Sequence, residues 1–343
     1  MSGLVESAGH PAQPHGADHK GFFTDTSICI GCKACEVACK EWNRNPADST
    51  WELSESSYDN TEGLGADTWR HVAFIEQGKE KIEQARESGR KLVNLGIPTI
   101  GVRPKGDSVF LERGDLGDGD LSGSDTTPPD TPDFRWLMSS DVCKHCTNAG
   151  CLDVCPTGAL FRTEYGTVVV QEDICNGCGT CVAGCPFGVI ERRDDGIAVP
   201  KTNRDFTAGE QAPTPNVGVA QKCTLCYDRL TDDQTPACAQ ACPTTSIKFG
   251  SKEELAKIAR ARVRELHKQG LTEARLYGAN PNDGVGGTGS VFLLLDEPET
   301  YGLPPDPRVP TADLPRMFKR AAVAAAGMIG VVALAFLSGG RRR

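Results

Sequence analysis

The spacing of the cysteines constrains this chain more than any other feature. Cys175, Cys178, Cys181 and Cys185, closed by Pro186, form a C-x2-C-x2-C-x3-C-P run. The first three thiols share a tight loop in which Gly177 and Gly179 permit sharp turns. The fourth sits one helical turn further on, with its sulfur turned away from the others. This is the bacterial-type spacing for a [4Fe–4S] cluster, and in two-cluster proteins the fourth cysteine ligates the other cluster. The run therefore predicts a second cluster beside the first.

All sixteen cysteines fall into such quartets. Cys29, Cys32, Cys35 and Cys39 repeat the spacing. Cys143, Cys146, Cys151 and Cys155 read C-x2-C-x4-C-x3-C-P. Cys223, Cys226, Cys238 and Cys242 read C-x2-C-x11-C-x3-C-P. None is left over, and four thiolates per cubane give four [4Fe–4S] clusters. Two other uses of cysteine compete. Disulfide scaffolds are mostly short, and close C-x2-C pairs make a poor bridging framework. Structural zinc also takes four cysteines, but normally from two C-x2-C knuckles rather than a repeated run with a trailing proline.

A chain of 343 residues allows two or three domains. Hydrophobic residues make up only 38%, with frequent Gly and Pro, which suits loop-rich modules stapled by metal clusters. Net charge is −9, from 46 acidic and 37 basic residues, and no basic stripe is present to argue for nucleic acid as a partner.

In chain order, residues 1–20 read as a disordered tail, without a signal peptide or twin-arginine signal, and its His10, His15 and His19 as tail residues rather than a metal tract. Residues 22–25 form a short strand leading to the first quartet. Lys40 follows Cys39 where the other quartets have Pro156, Pro186 and Pro243, so the helix carrying Cys39 continues through Glu41, Trp42 and Asn43. Residues 44–138 are a long insertion. Within it, strands are expected at 69–76 and 109–112, a charged helix at 77–90, and an acidic mobile loop at 115–133.

A β-hairpin is expected at 159–163 and 167–171, turning near Tyr165 and Gly166, with strand character again at 189–193 before a turn at Asp195 and Gly196. Two quartets separated by one hairpin make a complete two-cluster ferredoxin. The first and last quartets must then pair with each other. The expected fold is α+β, with two nested ferredoxin-like 2[4Fe–4S] modules. The inner module spans 139–200; the outer comprises 21–43 and 217–250. Residues 201–216 form the linker between them, and the stretch between Cys226 and Cys238 is an exposed loop. Residues 246–249 repeat the strand ending.

Residues 251–316 form a C-terminal extension. Ser251 and Glu254 read as a capping box for a helix whose apolar positions are Leu255, Ile258, Val263 and Leu266, ending near Gly270. Its basic residues read as a solvated face rather than a membrane-surface one. Residues 290–296 form a buried strand. Residues 321–337 carry no charge and reach about 26 Å as a helix, so residues 317–340 are expected to cross a membrane. Arg316, Lys319 and Arg320 flank one end and Arg341, Arg342 and Arg343 the other, where they can snorkel to headgroups. Small residues such as Gly327 and Ala333 permit packing against a partner helix.

Several motifs now carry a specific resemblance. The first quartet, the Cys-Lys-His-Cys at 143–146, the run at 178–188 and the Cys-Thr-Leu-Cys-Tyr-Asp-Arg at 223–229 resemble the iron–sulfur (β) subunit of membrane-bound formate dehydrogenase. That family belongs to the four-cluster ferredoxin-type subunits of molybdopterin oxidoreductases. Residues 277–289 and 301–307 are similar to segments before that subunit's membrane anchor. The resemblance covers 22–43 and 134–337; the insertion departs from it in length. It implies four ligand sets, each named hereafter by its first cysteine: Cys29, Cys32, Cys35 and Cys242; Cys39, Cys223, Cys226 and Cys238; Cys143, Cys146, Cys151 and Cys185; Cys155, Cys175, Cys178 and Cys181.

No nucleotide loop, nucleophile elbow or zinc-protease signature is present, and His145, lying between two ligands, reads as a packing or sulfur hydrogen-bonding residue. The chain is thus expected to be a non-catalytic electron relay. The resemblance implies a molybdenum or tungsten pterin catalytic subunit as donor, a membrane cytochrome b that reduces quinone as acceptor, and a soluble part exported alongside a partner bearing the signal. The equivalent subunit of a hydrogenase or of a sulfur- or nitrogen-compound reductase is the alternative, and a zinc-stapled interaction protein is the alternative of a different class.

Overall fold

The computed structural model describes residues 19–46, 59, 61, 63–95, 131–194 and 216–339. The expectations for 109–112, the turn at 195–196, nearly all of the 201–216 linker and most of the tail and acidic loop lie outside the described residues. The elements in chain order are β1 (Lys20–Asp25), α1 (Ala34–Trp42), β2 (Arg70–Gly78), α2 (Lys79–Asn94), β3 (Phe134–Val142), α3 (Gly150–Asp153), β4 (Leu160–Arg162) and β5 (Val168–Val170). They continue as α4 (Thr180–Gly184), β6 (Glu191–Arg192), β7 (Ala220–Gln221), α5 (Tyr227–Thr231), α6 (Ala237–Gln240), β8 (Ile247–Ser251), α7 (Lys252–Lys268), β9 (Arg275–Tyr277), β10 (Ser290–Leu294) and α8 (Leu314–Gly339).

A four-stranded sheet of order β8-β1-β10-β9 organises residues 16–309. β1 pairs antiparallel with β8, Phe22 facing Phe249 across the ladder, and parallel with β10, where Phe22 matches Ser290. Side chains alternate across the sheet. Phe22, Phe292, Leu294, Tyr277 and Ile247 enter one core together with the cysteines. Phe23, Val291, Leu293 and Leu276 enter a second core beneath α7. The sheet is the wall between them.

The cysteine-bearing helices differ in length for the reason expected. α3, α4 and α6 run four, five and four residues, whereas α1, with Lys40 in place of the proline, runs nine. The extra turn carries Trp42, whose indole N–H donates to Asp228 at 2.8 Å and whose ring lies 4.2 Å from the Arg229 guanidinium. The stretch between Cys226 and Cys238 is thus not wholly an exposed loop: it contains α5, with Arg229 and Leu230 buried. The alternation of acidic and basic residues there hid a single helical turn whose inner face is used.

Where it is described, the stretch read as an insertion packs onto the rest of the fold. β2 and β3 pair antiparallel over nine residue pairs, Arg70 with Val142 through Gly78 with Phe134, so the ribbon runs across residue 138. Glu76 and Gln77 belong to this ribbon, and the helix begins at Lys79. α2 packs on the loop before β9 so closely that a Cβ on Gly89 would lie 2.2 Å from the Thr272 carbonyl oxygen. Arg86 and Arg135 converge on the buried Glu273, at 3.7 and 2.7 Å. The hairpin β4–β5 forms as expected, while the strand at 189–193 shrinks to β6, paired with β7.

Two local expectations for α7 fail. Ser251 occupies the N-cap but makes no side-chain cap bond, its residue being engaged at the end of β8. Ile258 is 44% exposed, because the buried stripe runs through Leu255, Ala259, Val263 and Leu266. Small Ala259, not Ile258, meets the sheet. In its own unit, α8 has 26 residues, about 39 Å of helix, and is exposed along its length. It is the one helix among the described residues long and apolar enough to cross a membrane.

Candidate iron–sulfur sites

The first quartet occupies a left-handed turn and the start of α1. Lys33 caps that helix at φ 57°, bringing Cys32 and Cys35 to the same side, as Gly177 (φ 73°) and Gly179 (φ 76°) do before α4. Cys29, Cys32, Cys35 and Cys242 line one cavity together with Ser140 and Ser246. Cys242 comes from the far end of the cysteine region. β8, which follows it, pairs with β1, which precedes Cys29, and this brings the two termini of the cysteine region together.

Electrostatic neighbours extend the grouping. Burial pushes the Cys39 thiol well up, and the adjacent charges of Cys223, Cys238 and Cys226 push in the same direction. Burial raises Cys146 likewise, reinforced by Cys143, Cys151 and Cys185. Cys181 is pushed up to about 11 by burial, then by Cys175, Cys155 and Cys178. Three electrostatic influences cross between groups: Cys35 feels Cys238, Cys223 feels Cys143, and Cys151 feels Cys181. Cys32 and Cys178 are exposed, whereas Cys39, Cys223, Cys226 and Cys238 are all buried.

These sites fit cubane clusters on several observations. Buried thiols driven to about 12 at Cys223 and Cys151 stay protonated at neutral pH unless a cation lies among them, and bound iron reverses that balance. Donors already face the sulfurs. Thr180 stands 2.8 Å from Cys178, Ser140 3.2 Å from Cys35, and the Leu225 amide 3.3 Å from Cys223. Cys155 is held below the ordinary thiol value: burial raises it, but the Leu160 amide, the Thr157 hydroxyl and amide, and the Ala159 amide outweigh burial. Among the described residues, no three His, Cys, Asp or Glu side chains converge as tightly as a single ion requires.

His145 is buried. Its Nδ1 accepts from the Val168 amide at 3.2 Å, which leaves the proton on Nε2, and burial pushes its pKa well down. That Nε2–H has no partner among the described residues. Ser140, Ser246, Lys144, Lys222 and Arg70 also surround the cysteines but were not singled out by spacing. Lys144 and Lys222 directly precede or follow ligand-type cysteines in sequence, and Ser246 follows Cys242 by four residues, all visible signals; Ser140 is far in sequence from the Cys35 it faces, and Arg70 is far from every cysteine, so neither leaves one.

A fold of short cysteine-bearing loops and helices gathered against a sheet, with thiols brought together from distant parts of the sequence, defines an iron–sulfur electron-transfer protein. A family model for a 4Fe–4S dicluster domain matches residues 134–212 and 210–252. The sequence is 34% identical over 313 residues to the formate dehydrogenase iron–sulfur subunit of Haemophilus influenzae, covering 89% of this protein and 76% of that one. It is 34% identical over 294 residues to the nitrate-inducible formate dehydrogenase iron–sulfur subunit of Escherichia coli, covering 84% and 73%. The B subunit of the anaerobic dimethyl sulfoxide reductase of Escherichia coli matches at 29% over 237 residues, 69% of this protein and 76% of that one. The chain belongs to the family of formate dehydrogenase iron–sulfur subunits. It carries four [4Fe–4S] clusters and transfers electrons rather than catalysing a substrate reaction.

Proposed function

We propose that this chain is the electron link of a membrane-bound formate dehydrogenase. Electrons arrive from a molybdenum or tungsten pterin subunit that oxidises formate, and leave to a membrane cytochrome b that reduces quinone. The Cys29, Cys39, Cys143 and Cys155 sets each hold one cluster, in two nested two-cluster modules. The observation that carries this reading is the 34% identity, over most of both chains, to formate dehydrogenase iron–sulfur subunits. The order of the sets is read from a series of electrostatic neighbours, Cys35 to Cys238, Cys223 to Cys143, Cys151 to Cys181. That series supports a linear order, Cys29 set, Cys39 set, Cys143 set, Cys155 set. The exposed Cys32 and Cys178 fall in the two end sets, where electrons must enter and leave.

When bound, the clusters supply one-electron redox chemistry, with potentials set by hydrogen bonds, burial and charge. The protein fixes their spacing, keeps water from the middle sets and presents the ends. α8 anchors the complex as a single pass, with the soluble part on the extracytoplasmic side. The test is addition of formate to the purified native complex under anaerobic conditions. Reduction of the cluster signals by formate supports the reading. An intact complex with its pterin subunit that leaves them oxidised removes formate as the source of electrons. The similarity to the dimethyl sulfoxide reductase B subunit favours a reductase subunit as the second reading, in which the same relay runs toward the pterin site.

A further inference from the structure

Arg70, like Arg275, is buried to about 1% exposure. Its Nη1 donates to the Ser140 hydroxyl at 2.9 Å and to the Ser140 carbonyl at 3.4 Å. The guanidinium carbon lies 4.7 Å from the centre of the Phe22 ring. Nε and Nη2 have no hydrogen-bond partner among the described residues. Other buried cations are matched differently: Arg275 by Glu297, Arg193 by Asp67, Lys144 by Asp141, and Lys222 by the carbonyls of Val168 and Cys223. Arg70 has no carboxylate among the groups whose charge it feels most; those are the sulfurs of Cys238, Cys35, Cys223 and Cys39.

A guanidinium stays charged in proteins, and burying a charge without a counter-charge is strongly unfavourable. The counter-charge must therefore come from what those cysteines hold. Ser140 already couples the two, since its hydroxyl also lies 3.2 Å from the Cys35 sulfur. The geometry points to Arg70 as the counter-cation shared by the clusters of the Cys29 and Cys39 sets, with Nε and Nη2 as open donors and its fixed charge making both clusters easier to reduce. This rests on the ligand sets proposed above. Each added electron makes a cluster more negative, so a cation fixed beside it in a low-dielectric interior favours the reduced form. The insertion then has an electronic role: β2 and β3 deliver Arg70 and its Ser140 clasp to the relay.

The test is a redox titration followed by electron paramagnetic resonance on the complex carrying Arg70→Gln or Arg70→Lys, with iron and acid-labile sulfide measured on each. Four one-electron cluster steps in the unsubstituted complex check the cluster count separately, and Cys39→Ser perturbing the same cluster signal as Cys223→Ser checks the ligand reading. In Arg70→Gln, two of the four midpoints are expected to fall. The reduced-to-oxidised ratio of those two clusters at fixed potential drops about tenfold, which is about 59 mV for a one-electron couple. Arg70→Lys, which keeps the charge, restores most of that shift. Four unshifted midpoints in a fully loaded Arg70→Gln complex, or an equal shift in both variants, overturn the inference. Should Arg70→Gln lose iron, Arg70→Lys decides: full iron in it supports the charge role, and the same loss in both overturns it.

Discussion

At the scale of the residue, Cys39 separates neighbours in sequence from neighbours in space. It lies four residues from Cys35 on the same helix, yet the thiolates nearest it electrically are Cys223, Cys238 and Cys226. Cys39→Ser is therefore expected to perturb the same cluster signal as Cys223→Ser, and Cys32→Ser a different one, by electron paramagnetic resonance. A Cys39→Ser spectrum that matches Cys32→Ser instead contradicts the exchanged ligand. Spacing makes the cysteines legible because three of each set's ligands come from one local loop or from two short ones. Arg70 and the Ser140–Cys35 contact are invisible at that level. Nothing near Arg70 in sequence says that its strand turns inward beside Cys35. Lys144 and Lys222 are next to cysteines in plain view, but adjacency does not reveal that both ammonium groups are buried.

At the scale of the element, helix length and strand pairing decide which parts of the sequence meet. The unstopped α1 reaches α5 through Trp42, and β1 closes on both β8 and β10. Gly89 tests the seat of the insertion. In an exposed helix interior, glycine to alanine stabilises by about 1 kcal/mol. Here the new methyl meets the Thr272 and Glu273 backbone, so Gly89→Ala should destabilise by about 1–3 kcal/mol, read as a lower denaturation midpoint. A raised midpoint would show that α2 does not pack there. A second prediction concerns α1: Lys40→Pro removes an interior helix hydrogen bond and should cost about 3 kcal/mol, with loss of the Trp42 contact seen as altered tryptophan fluorescence. An unchanged midpoint and emission would contradict the continued helix. β2 follows from partial period-two patterning, the hairpin from turn residues between two β-favouring runs, and the buried β10 from a short continuous apolar run. The α7 stripe does not, because an alanine at its centre carries little hydrophobic signal beside Ile258.

At the scale of the whole molecule, the parts serve conduction and attachment. Removing residues 314–343 should move the protein from membrane to soluble fractions while iron content stays unchanged; retention in the membrane would assign attachment to another surface. The wire depends on cofactor number more than on any contact described above. The most direct test is anaerobic analysis of the purified protein for iron, acid-labile sulfide and zinc. The account predicts about sixteen iron and about sixteen sulfide per polypeptide, distributed over four one-electron steps. About four zinc with no sulfide would contradict it.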